Sequence, residues 1–294
     1  MRKFLPISLL VLLLACTEKI EIQSKSDYHE YLAVQATLTD QPDQPQQVVL
    51  SRSISFFHDE PQPMVKGASV SVNDIRFTEM EDGVYVAPLG FCCKENENYH
   101  LEISLADGEK YWADAKMPEA GFEMEAIDYA WGGGGSTADA DSLWMVGLWG
   151  IEKDIESYYL ITHAVNGNYT PFDRAIITID SYFNGTEIAG FPVRTLIQLE
   201  EQRKQYGDCY KYLEAGDVIT VDIWTLDHEY ETFLYGINTG GLSVPLFSPQ
   251  PANLPTNIHG ENVIGYFAVC SVARASVVVD DPFRKYYKRA LPQL

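Results

Sequence analysis

The sequence predicts a mainly β protein: an N-terminal immunoglobulin-like β-sandwich, then a larger β-rich domain with one amphipathic helix. Three observations lead there. Short runs of alternating apolar and polar residues recur along most of the chain, and Gly, Asn, Asp or Pro closes each one. Only one window carries apolar residues at helical spacing. The chain has 294 residues, enough for two ordinary hydrophobic cores.

Residues 1–15 stand outside this pattern. Arg2 and Lys3 precede an apolar run from Phe4 to Leu14, and Leu13-Leu14-Ala15-Cys16 follows as a lipobox. The run is shorter than the roughly 20 residues needed to span a bilayer, so it reads as a cleaved lipoprotein signal peptide. The Cys16 thiol then takes the diacylglycerol. An additional amide-linked acyl chain, of palmitate type, makes the anchor firm, because one chain alone holds only marginally. Residues 16–28 are polar and read as a tether. Thr17 is not the Asp typical of lipoproteins retained at an inner membrane, which points to the outer membrane.

Residues 29–118 form the expected sandwich. Tyr31–Thr39 alternates until Asp40–Pro45 breaks it. Val48–Arg52 and Ala68–Val72 follow, then the turn Glu81-Asp82-Gly83 before Val84–Val86. Tyr99–Leu105 and Tyr111–Ala115 flank Asp107-Gly108, a strong hairpin signal. Met117-Pro118 closes the unit. Several short strands at this spacing suit a sandwich of immunoglobulin type.

Residues 119–280 form the expected second domain. Strand-like runs occupy Phe122–Tyr129, Leu143–Trp149, Tyr158–Val165, Ala175–Phe183, Val193–Leu199, Val218–Leu226 and Val263–Val279. Asn166-Gly167 and Asn184-Gly185 are turn dipeptides. Gly132–Gly135 opens a loop running to Asp141. Tyr230, Phe233, Leu234 and Ile237 share one helical face, which places a helix near 228–238 with Asp227 as its cap and Gly240-Gly241 as its stop. Residues 281–294 form a basic tail. Its run Arg284-Lys285-Tyr286-Tyr287-Lys288-Arg289 reads as solvated, with an acidic partner or surface glycolipid as the alternative target.

The formal charge of −21 argues against nucleic-acid binding and against electrostatic adhesion to anionic lipid. Export makes disulfides available to Cys92, Cys93, Cys209 and Cys270. Cys92 and Cys93 are adjacent, so on a strand they point to opposite faces. Cys209 with Cys270 is the favoured pair, and buried free thiols are the alternative.

Reaction-bearing motifs fail one by one. His228-Glu229 begins like a zinc-protease helix, but Thr232 stands where the second histidine belongs. Gly134-Gly135-Ser136-Thr137-Ala138 lacks the last glycine of a nucleophile elbow. Asp139-Ala140-Asp141 opens like a calcium loop, yet Trp144 and Gly150 occupy the positions that need Gly and Glu. The histidines are scattered, with no pair at ligand spacing. Trp131, beside the glycine loop, is the candidate ligand contact. Trp144, Trp149 and Trp224 read as core.

Several segments together resemble a known family. They are Glu18-Lys19-Ile20-Glu21-Ile22, Val49–Ser53, Gly67–Val72, Tyr99–Ile103 with Asp107-Gly108, Tyr111 and Met117-Pro118, then Gly216-Asp217-Val218, the helix, Asn253–Ile258 and Gly265-Tyr266-Phe267. In this order and spacing they resemble the outer-membrane lipoproteins of Bacteroidota that carry the domain of unknown function 4249 (DUF4249). The resemblance implies an all-β, two-part lipoprotein in the company of TonB-dependent outer-membrane receptors. It supplies no catalytic residue. Cys92-Cys93 and the basic tail depart from the family pattern. The expected function is thus a non-catalytic accessory or binding subunit, with no cofactor beyond the covalent lipid on Cys16. Its expected partners are the membrane and a TonB-dependent receptor, and its small ligand is open. The alternatives are a structural or adhesive surface lipoprotein and, further off, a hydrolase assembled from distant residues.

Overall fold

The structure, a computed structural model, describes residues 30–54, 61–132, 143–172, 175–179, 184–197, 213–240 and 254–289. The first half supplies β1 (Leu32–Thr39), β2 (Gln47–Arg52), β3 (Ser69–Val72), β4 (Ile75–Glu81), β5 (Val84–Val86), β6 (Asn98–Ser104) and β7 (Lys110–Lys116). The second half supplies β8 (Phe122–Trp131), β9 (Leu143–Glu152), β10 (Tyr158–Val165), β11 (Asn168–Tyr169), β12 (Ile176–Ile179), β13 (Glu187–Ile197) and β14 (Val218–Leu226). Helix α1 (His228–Gly240) and β15 (Val263–Val278) complete it. The protein is mainly β with one helix among the described residues.

The strands form two sheets. A twelve-stranded sheet runs β11-β10-β14-β15-β1-β2-β5-β4-β3-β6-β7, with β12 also paired to β10, and a three-stranded sheet runs β13-β9-β8. The large sheet curls back on itself at one end. His259, just before β15, bridges Trp112 on β7 through two backbone hydrogen bonds of 3.1 and 2.7 Å. Residues 32–117 and the start of β15 thereby wrap one core, which Val34, Leu50, Val70, Leu101, Phe267 and Val269 help to fill.

β15 is the hinge of the architecture. One face of its first half, Phe267 and Val269, enters that core, and the same face of its second half, Ala273, Ala275 and Val277, packs on a second core. This second core lies between β8-β9-β13 and β10-β14-β15, where Tyr129, Trp144, Val146, Val221 and Ile223 are buried. Ser271 separates the two, its hydroxyl donating to Asp40 at 2.9 Å. Where β1 stops at Thr39, side chains extend the pairing. The Val272 N–H donates to Asp40 Oδ1 at 3.0 Å, and Gln41 Nε2 donates to the Val272 carbonyl at 2.8 Å. A division at 118/119 therefore leaves the first core without the strand that β1 pairs in parallel, Leu32 opposite Val263 through Thr39 opposite Cys270.

The opposite face of the large sheet carries α1. Asp227 caps it, accepting from the Tyr230 N–H at 2.7 Å. Tyr230, Leu234 and Phe233 pack on Tyr266, Ala268 and Cys270, while Ile237 stays exposed. Two strand features lie beyond the sequence reading. β4 was masked by its charged residues, Arg76, Glu79 and Glu81, because only Phe77 is buried. β13 begins at Glu187 rather than Val193, and its register shifts place Gly190 in one bulge and Pro192 beside a second, at Val193.

Candidate functional site

A group of chemistry-bearing side chains lies on the outer face of β3, β6 and β7. Alternation puts Val70, Leu101, Ile103, Tyr111 and Ala113 into the core. The residues between them must therefore face out. Register then sets the grid: Ser69 stands opposite Ser104, Ser71 opposite Glu102, His100 opposite Asp114, Glu102 opposite Trp112, and Ser104 opposite Lys110. All of these except Asp114 line a groove of about 570 Å³.

Trp112 forms its wall. The side chain is large, apolar and on a polar face, and it remains 42% exposed. The His259 ring stacks on it at 3.8 Å and 13°, on the side away from β6. The His100 ring, on β6, lies 5.9 Å from the indole and tilted. His100 is itself held. Nδ1 is 2.7 Å from Asp114 Oδ1, and Nε2 is 3.9 Å from Glu102 Oε1. Both ring nitrogens thus face carboxylates rather than a nucleophile, the pairing that covalent catalysis needs. What the arrangement offers is a fixed aromatic wall, a hydroxyl floor, and donors and acceptors on the rim. Sequence reading missed it because His259, which stacks on Trp112, is far from the predicted hairpin that carries His100 and Trp112. The available signal was Trp112 itself, an aromatic on the polar side of an alternating strand.

A second, smaller cavity of about 90 Å³ lies among Phe122, Leu148, Tyr159, Ile188 and Ile223. Its one carboxylate, Glu152, is buried, accepting from the Tyr159 hydroxyl at 2.7 Å and the Gly185 N–H at 2.9 Å. Those bonds engage both oxygens, so Glu152 joins β9 to β10 and the following turn.

The residues singled out from sequence fall elsewhere. Trp131 ends β8, its N–H donating to the Arg284 carbonyl at 2.5 Å, and packs edge-on against Trp144 at 4.7 Å and Phe283 at 5.5 Å. The tail expected in solvent instead docks on the protein's own three-stranded sheet through residues 281–289. Arg284 binds Asp128 and lies 4.1 Å over the Tyr129 ring. The N–H of Lys288 donates to Asp128 Oδ2 at 2.5 Å, and Tyr287 meets Trp149 edge-on at 5.2 Å. The cause is Asp128, only 4% exposed, which needs a cation and N–H donors. Cys270 is a buried free thiol whose pKa burial pushes well up, and Cys209 lies outside the described residues. Cys93 is buried and pushed up to about 12 by desolvation. His228 is exposed against Tyr158. Cys16, Ser136, Asp139 and Asp141 lie outside the described residues. Among the described residues no cluster of His, Cys, Asp and Glu could hold a metal. No helix there is long and apolar enough to cross a membrane.

The family described as Domain of unknown function (DUF4249) matches residues 17–276. No curated protein matches the chain.

Proposed function

Because the chain belongs to the DUF4249 family, we propose that it is an outer-membrane lipoprotein of Bacteroidota type acting as a binding subunit. In this reading it performs no catalysis, and Cys16 carries the lipid. Its body associates with a TonB-dependent receptor and offers a ligand the Trp112 groove. The groove is the observation that carries the proposal. It is open and polar, its side chains are fixed by strand register, and its volume lies within the usual range of small-ligand sites. The lipobox supports the anchor, and the acidic charge supports a soluble body that does not adhere to anionic lipid by itself.

Two experiments test it. Labelling with radioactive palmitate should mark the protein, and Cys16→Ser should abolish the label. Purification from detergent-solubilised membranes should recover a receptor of the TonB-dependent class, and recovery of no such barrel would refute the association.

A further inference from the structure

We propose that the groove binds a neutral saccharide, with a sugar ring laid against the exposed part of the Trp112 indole, beside His100. This rests on the groove being the binding site and names its ligand class. The wall comes first. An aromatic plane attracts the C–H face of a ring that is otherwise polar, and it serves best when its orientation is set in advance. Trp112 is set twice: His259 stacks behind the indole at 3.8 Å, and the same residue's N–H and carbonyl bond to the Trp112 backbone.

The floor comes next. Ser69, Ser71 and Ser104 are short, which gives the groove its depth beside the indole. Each hydroxyl both donates and accepts, matching ligand hydroxyls that do the same. On the rim, Glu102 accepts, Lys110 donates, and His100 stands beside Glu102, held from behind by Asp114.

The other ligand classes fit less well. One lysine beside Glu102, with Asp114 close by on His100, in a chain of net charge −21, opposes a phosphate or a polyanion. A hydroxyl and carboxylate lining penalises an acyl chain, which would desolvate those groups without pairing them. A quaternary ammonium is held best by an aromatic cage, and this groove presents one indole with a lysine in the same row. A neutral polyol with an apolar face remains.

The test uses the full chain in detergent. Short neutral gluco-, manno-, galacto- and xylo-oligosaccharides are titrated by calorimetry, with tryptophan fluorescence as a second readout. Polygalacturonate and tetramethylammonium serve as charged probes. Saturable binding to at least one neutral oligosaccharide is expected. Trp112→Ala should weaken it about tenfold or more. Ser71→Arg, which fills the floor and keeps the indole, should weaken it comparably, and His259→Ala should weaken it less. Melting temperatures of the variants should stay near that of the parent, since these side chains face outward. Binding to none of the neutral probes, binding only to a charged one, or binding indifferent to both Trp112→Ala and Ser71→Arg would overturn the proposal. Receptor recovery is read separately. Saccharide binding without a co-purifying barrel refutes the association and leaves the ligand class standing, whereas a barrel recovered without saccharide binding does the reverse.

Discussion

Gly265 shows how tightly one position is specified. Its φ is +107°, in the range that side-chain-bearing residues avoid, and a Cβ there would lie 1.9 Å from the Val34 carbonyl oxygen. Val34 is its partner in the parallel pairing of β1 with β15, so the absent side chain is what lets the strands close. Gly265→Ala should cost about 3 kcal/mol or more, since strained φ and steric overlap add. Urea unfolding would check this, and an unchanged midpoint would refute it. Nearby, Asn257 imitates a strand. Its Nδ2 donates to the Phe267 carbonyl at 2.7 Å, and its Oδ1 accepts from the Phe267 N–H at 2.9 Å. Both positions were visible in sequence as parts of Asn253–Ile258 and Gly265-Tyr266-Phe267. Their reason was not, because each acts on a residue that only the fold brings near. The same holds for the candidate site, where Trp112 was legible as an outward aromatic and His259 as its support was not.

Among elements, the helix and most strands were legible because local periodicity and capping encode them. The C-terminal segment was not, because its composition says "solvated" and its partner lies far away in sequence. Asp128 accepts from the Arg284 guanidinium and from the N–H groups of Lys288 and Arg289. Arg284→Ala removes the cation from this buried carboxylate and should cost about 3–5 kcal/mol. Thermal melting measures that loss, and a shift within error would show that the backbone donors suffice. Asp280 adds a pH dependence. The Lys288 ammonium, and secondarily the Tyr129 hydroxyl, hold its carboxyl well below the usual value of 3.8. A lowered pKa means that the unfolded chain takes up the proton first as pH falls. The contribution is therefore complete at neutral pH and fades below about 3.8. The melting-temperature gap between the parent and Lys288→Ala should accordingly shrink on acidification below that point. A gap that stays constant into strong acid would contradict this origin.

The whole molecule is organised by sharing one strand between two cores. The order of strands could be read along the chain, but the parallel pairing of β1 with β15 could not, since no local signal announces a partner more than two hundred residues away. A fragment of residues 29–118 therefore lacks Phe267, Val269 and the bridge from His259. It should give poorly dispersed amide signals in solution, whereas a well-dispersed spectrum would show that this core closes without β15. The shared strand also decides how the protein bears load. Pulling the N-terminal end of β1 against the C-terminal end of β15 makes two parallel strands slide past each other. All eight residues of β1 then resist together instead of parting one rung at a time. Stretched between those two points, the protein should yield at a higher force than when it is pulled across the β6–β7 hairpin. Optical tweezers with handles at those positions would measure the difference.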